Sequence, residues 1–240
     1  MRNTYNISLL RKRIVDALPR PPTAIGEAAI EGFLSLPGSS AWRPDRIGLR
    51  ELSFVFDIGV PLALIGDNAS AKPIALEIGD AARDGALPQR PTRSLVHTAA
   101  LLSRWGWAVQ FVGAGTALQR QWRIEVATAE GEPIDVVLLD AGTQRNGSTI
   151  DPTTSDRLQL LVSDVDGGLE DVAAGYDPMF ESSRNVCGGV VFQPRFWIGI
   201  EQKEWLHLAR PNPTARVAIA SERLGHADGE RHALRLPLLV

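Results

Sequence analysis

One stretch, Ser94 to Ala141, limits what this chain can fold into more than any other, because every local signal in it agrees. Leu95, Ala99, Leu102 and Trp105 fall at helical spacing, and Gly106 stands where a helix needs a left-handed C′ residue. Trp107 to Val112 then reads as an apolar strand, and Gly113-Ala114-Gly115-Thr116 as a tight break. Trp122–Ala127 and Ile134–Leu139 follow as two more strands, joined by Thr128-Ala129-Glu130-Gly131-Glu132-Pro133. A helix feeding an antiparallel meander is the expected nucleus.

The flanks extend this pattern. Ile7, Leu10, Ile14 and Leu18, then Ile25 to Leu34, predict two helices separated by Pro19, Pro21 and Pro22, an N-terminal helical hairpin. From Leu49 the period becomes two, and the runs 52–58, 60–65 and 73–78 predict further antiparallel strands. A short helix is expected over Asp80–Ala86. Residues 140–155 read as a long polar loop. Asp151-Pro152 suits the start of a helix to about Val165, with a strand over Leu158–Val162 as the alternative. Leu169–Ala174 reads as a helical turn and Gly175–Gly189 as irregular. Beyond that lie short β-like runs at 190–192, 196–201, 205–209, 216–220 and 232–238. Asp228-Gly229 suits a hairpin turn that would pair Glu222 with Arg235.

The resulting fold class is α+β: an N-terminal helical hairpin, a mainly antiparallel sheet with helices on one face, and a β-rich C-terminal third. At 240 residues a single domain over 1–240 is expected. The alternative is a split into 1–141 and 151–240 with a loop at 142–150. No window reaches the roughly 18 apolar residues of a membrane span, and the first apolar run is too short for a signal peptide. A cytoplasmic protein with no membrane association is therefore the expectation. A net charge of -3 argues against a generally basic nucleic-acid coat, while leaving a local basic face open. A single cysteine, Cys187, excludes an internal disulfide and any multi-cysteine metal site.

The candidate chemistry is dispersed. Gly113, Gly115 and Thr116 follow a strand, as a phosphate-approaching turn would, but Leu118 occupies the position where a dinucleotide fingerprint needs a third small residue. Glu125, Asp135 and Asp140 could hold a divalent metal for phosphoryl chemistry. That depends on register: a hairpin centred on Glu130 sets Glu125 opposite Asp135, and a one-residue slip sends them to opposite faces. Glu201-Gln202-Lys203 has the acid–spacer–lysine spacing that resembles metal-dependent nucleases of the PD-(D/E)xK type. The upstream Pro-Asp of that pattern is missing, and only Asp177-Pro178, in reversed order, is at hand. Asp164 and Asp166, the group His226, Asp228, Glu230 and His232, and the isolated His97, His207 and Cys187 fit turns, faces or core as well as chemistry.

The sequence contains six Trp, a residue type enriched at binding hot spots as well as in cores, and its last residues are apolar. These features lead to a non-catalytic binding or assembly subunit of an intracellular complex, with a protein partner or homo-oligomer and no cofactor. The second expectation is a metal-dependent phosphodiester hydrolase or phosphoryl-transfer enzyme using Mg²⁺ with Glu125 and Asp135, or with Glu201 and Lys203. Nucleic acid or a nucleotide is the further class of partner. Whether the chain is an enzyme stays open at this level.

Overall fold

A computed structural model describes residues 55–65, 68–83, 90–114, 121–140, 155–197, 202–225 and 231–237. The expected N-terminal hairpin, Gly115, Thr116, Glu201 and the turn at 226–230 lie outside them. The chain divides into two compact units: residues 1–100, 196–203 and 236–240 form the first, and 101–195 with 204–235 the second.

The described part of the first unit is helical. A π-helical turn over Val55–Gly59 runs into α1 (Val60–Ile65), and a 3-10 turn at Ala69–Ala71 leads into α2 (Lys72–Arg83). α3 (Arg90–Arg104) follows, its last turn belonging to the second unit. The expected strands at 60–65 and 73–78 are therefore helices, the described end of the run expected as a strand at 52–58 is the π-helical turn, and residues 80–83 of the short helix expected at 80–86 are the end of α2. Ile74, Ala75 and Ile78 are buried while Leu76 is 49% exposed. A strand would have put Ile74, Leu76 and Ile78 on one face; a helix turns Leu76 away. Pro61 and Pro73 mark first helical turns, where the missing N–H costs no hydrogen bond. Asn68 caps the 3-10 turn by accepting from the Ser70 amide at 3.0 Å.

α3 ends as its sequence indicates. Gly106 has φ 86°, the Trp107 amide donates to the Leu102 carbonyl at 3.0 Å, and the Gly106 amide to Ser103 at 3.1 Å. This pair of bonds is the Schellman closure.

The second unit is built on a seven-stranded sheet in sequential order: β1 (Gln110–Ala114), β2 (Gln121–Ala127), β3 (Pro133–Asp140), β4 (Leu158–Asp164), β5 (Val186–Trp197), β6 (Gln202–Pro211) and β7 (Arg231–Pro237). The sheet is mixed. β1–β2 and β2–β3 are antiparallel, while β3–β4 and β4–β5 are parallel. The α+β class stands.

All seven residues of β4 are buried, as expected of a parallel strand covered on both faces. Its run lacks alternation for the same reason, so a helix and a strand were both compatible with it. The stretch 175–189 is ordered as α5 (Asp177–Ser182) and the start of β5, after α4 (Leu169–Ala174). Residues 216–220 form no strand, and Glu222 lies in a 3-10 turn, Ser221–Leu224, so the expected cross-strand pair with Arg235 is absent. Pro194 is accommodated within β5 because the pairing with β4 stops at Phe192.

One sheet face, here called the helix face, carries the core of Leu161, Val186, Val191, Leu206 and Leu208 under Leu169, Ala173, Tyr176 and Phe180 of α4, α5 and their link. Tyr176 is fully buried, and its hydroxyl donates to Ser163 Oγ at 2.8 Å and lies 3.1 Å from the Val190 carbonyl. Its ring lies so close to Gly189 that a Cβ there would sit 2.1 Å from Tyr176 Cδ2. Gly189→Ala is therefore expected to destabilise the protein by about 1–3 kcal/mol through overpacking, read as a lowered denaturant midpoint with an unchanged m-value.

Candidate functional site

The hairpin turn decides the register on which the acidic cluster depends. The Gly131 amide donates to the Thr128 carbonyl at 3.1 Å, the Thr128 amide to Glu132 at 2.8 Å, and Gly131 has φ 87°. This is a three-residue loop, Ala129-Glu130-Gly131, with glycine in the left-handed position. Thr128 Oγ1 also accepts from the Glu132 amide at 3.0 Å. An odd loop is centred on a residue, here Glu130, so Glu125 pairs with Asp135. Alternation from the bonded Thr128–Glu132 pair makes 127–133 and 125–135 non-hydrogen-bonded pairs. Pro133 therefore forfeits no ladder bond to β2, and the Glu125 and Asp135 side chains start from the closer kind of pair.

The row continues on both sides. Gln110 of β1 pairs with Glu125, and Gln159 of β4 pairs with Asp135. Cross-strand partners share a face, so Gln110, Glu125, Asp135 and Gln159 form a polar row on the helix face, on strands β1 to β4. The next row on β1 and β2, Val112 and Arg123, shares that face.

Two arginines neutralise the carboxylates. Arg157 Nη1 lies 3.2 Å from Glu125 Oε1 and 3.2 Å from Asp135 Oδ1, and Nη2 donates to Glu125 Oε1 at 3.2 Å. Arg123 Nη2 is 2.9 Å from Glu125 Oε1. Glu125 and Asp135 are each 18% exposed, Arg157 40%. Arg157 stands on a bend before β4, where its amide donates to Ser155 Oγ at 3.2 Å. Asn185 holds this segment, donating from Nδ2 to the Ser155 carbonyl at 2.9 Å and accepting from the Gln159 amide at 2.8 Å.

Not every acceptor is satisfied. Among the described residues, Asp135 Oδ1 and Gln159 Oε1 are buried without a hydrogen-bond partner. The Arg157 contact to Asp135 is thus close in distance without being an aligned hydrogen bond. An unmet buried acceptor is costly, and such sites call for a physical account.

The other sequence candidates are distributed elsewhere. Gly113 is not in a turn but is the fourth residue of β1, opposite Trp122. Lys203 lies in β6. Asp177, the reversed-order candidate for the nuclease pattern, is tied to Arg210 at 2.8 Å. Asp140 pairs in register with Asp164 at the ends of β3 and β4. In the first unit, His97 is fully buried with Nε2 4.0 Å from Asp57 Oδ1, and Arg93 Nε is 3.8 Å from Asp57 Oδ2.

In the second unit, His207 packs against Trp105 at 4.9 Å and His232 at 5.8 Å, with Nε2 3.1 Å from the Gly225 carbonyl. Trp107 lies under the Arg223 guanidinium at 3.7 Å. Trp107 and Trp205 are buried, so these two tryptophans fill core. No helix among the described residues is long and apolar enough to cross a membrane.

Arg157, Arg123 and Gln159 were not singled out from sequence. For Arg157 and Gln159 the signal is the parallel register of β4 on β3, which no local pattern encodes; Arg123 stands two residues before Glu125 on β2, so strand alternation alone puts the two on one face. The sequence matches no protein-family model, and no curated protein is detectably similar to it.

Cys187 is fully buried, and burial pushes its thiol up to about 11, against a smaller lowering by the Gln159 backbone hydrogen bond. It is expected to resist alkylation in the native protein at neutral pH and to react on unfolding. Because the folded thiol holds its proton past the ordinary value of 9.0, its contribution to stability is complete below that pH. It then declines as pH rises toward 11. Denaturant titrations of wild type and Cys187→Ala across this window check the sign: wild type loses stability more steeply.

Arg157→Ala leaves Glu125 and Asp135 opposed without their shared counter-ion. A loss of about 1 kcal/mol is expected, given the exposure of Arg157. It should shrink in high salt, measured by chemical denaturation.

Proposed function

We propose that this chain is a non-catalytic binding subunit of a multi-protein assembly, and that the polar row Gln110–Glu125–Asp135–Gln159, with Arg123 and Arg157, is its contact surface. The observation that carries this is the pair of buried acceptors, Asp135 Oδ1 and Gln159 Oε1, left without donors beside half-exposed arginines. A partner that displaces Arg157 would bring donors to both. Arginine is also the charged residue type enriched in interfaces. The absence of bulk positive charge favours a protein over a nucleic-acid partner.

A second reading is a metal-dependent phosphodiester or phosphoryl-transfer enzyme. One observation favours it: Glu125 and Asp135 stand opposite one another on a single face, as two ligands of one metal ion require.

The binding reading is tested with the tagged full chain recovered from its own cells. Sedimentation and quantitative mass spectrometry are compared for wild type, Arg157→Glu, and Arg104→Ala as an exposed control. Arg157→Glu should release the associated protein or second copy while the control retains it. A wild type that sediments alone, or an assembly indifferent to Arg157→Glu, contradicts the reading.

A further inference from the structure

We infer that Glu125, Asp135 and Gln159 form a site for a hard divalent cation of the Mg²⁺, Mn²⁺ or Ca²⁺ class, which enters as the Arg157 guanidinium turns out to solvent. The inference rests on the reading of this row as a ligand site and names the ligand's chemistry.

Three oxygen-bearing side chains come from three neighbouring strands at one register level and on one face. Adjacent strands are only about 4.8 Å apart, so their oxygens can converge on one ion. Gln159 is only 7% exposed, and its Oε1 has no hydrogen-bond partner among the described residues. It stands directly beside Asp135, whose Oδ1 also lacks a hydrogen bond. Two carboxylates and an amide carbonyl make an all-oxygen donor set, which suits hard cations and disfavours zinc or copper.

Arg157 now occupies this charge position, but its donors are directional. Both of its terminal nitrogens reach Glu125, while Asp135 Oδ1 is merely near and Gln159 Oε1 is unmet. An ion imposes less direction on its oxygens and carries two charges against the single charge of the guanidinium it replaces, while Arg123 stays on Glu125. The guanidinium is also free to leave: it is 40% exposed and projects from a bend before β4, not from the strand. Arg157 is thus a placeholder for the cation, and cation and guanidinium compete for the same carboxylates.

The probe is Mn²⁺, followed by electron paramagnetic resonance of the free ion, with Ca²⁺ titrated calorimetrically. The proteins are the full-length wild type, Arg157→Ala, Asp135→Asn and the double variant, each checked for folding by thermal melting. One equivalent should bind, about tenfold or more tighter in Arg157→Ala than in wild type. Asp135→Asn should weaken binding by about tenfold or more in either background. Should Asp135→Asn fail to fold, Glu125→Gln takes its place with the same expected loss.

Failure of both wild type and Arg157→Ala to bind either ion overturns the inference. So does binding by Arg157→Ala that the carboxylate variants leave unchanged, which marks a diffuse acidic surface. Loss of partner on Arg157→Glu without any cation binding would keep the contact-surface reading and remove the cation, since a partner's own cationic side chains would then supply the missing donors.

Discussion

Everything in the second unit depends on β4 being sealed on both faces and paired on both edges. Its seven residues are buried, and parallel ladders to β3 and β5 take up its backbone groups. A strand so enclosed must place its apolar residues on both sides. Leu158, Leu160 and Val162 join Ile124, Val126, Ile134 and Val136 on one face, while Leu161 joins the core beneath α4 and α5 on the other. The contact of Tyr176 with Gly189 and Ser163 then sets how closely the helices approach. On the helix face Ser163 is met by the Tyr176 hydroxyl, whereas the buried Gln159 lies two residues before Leu161 and marks where the apolar core gives way to the polar row.

That row exists because two unrelated constraints coincide. A three-residue turn with Gly131 in the left-handed region centres the β2–β3 hairpin on Glu130. The parallel ladder independently aligns Asp135 with Gln159. A shift of one residue in either would divide these groups between the two faces. The segment before β4, held through Asn185 and Ser155, brings the Arg157 side chain across the same row. The result is a charge-compensated cluster with incomplete hydrogen bonding.

What could be read in the sequence follows from how local each determinant is. The C-terminus of α3, the strands at 122–127 and 134–139, and the helical turn at 169–174 are fixed by neighbours in the chain, and were legible. The Glu125–Asp135 alternative was legible as a pair of registers, but choosing between them required recognising Gly131 as the left-handed residue of an odd loop. The segments at 60–65 and 73–78 were misassigned because short apolar runs beside proline fit a strand and a first helical turn equally. Burial of Ala75 and exposure of Leu76 separate the two only after folding. Arg157 and Gln159 were invisible as site residues because their neighbours on β3 are about twenty residues away in sequence and reached by a parallel crossover.

The site exists only if Glu125 and Asp135 face each other on one side of the sheet. The most direct measurement is disulfide trapping in a chain carrying Cys187→Ser, with Glu125→Cys and Asp135→Cys introduced together. As a non-hydrogen-bonded antiparallel pair, these positions should oxidise readily to an intramolecular bridge. The control pairing Glu125→Cys with Val136→Cys should remain reduced. Ready oxidation of the control with none at 125 and 135 would place the two carboxylates on opposite faces and dissolve the site.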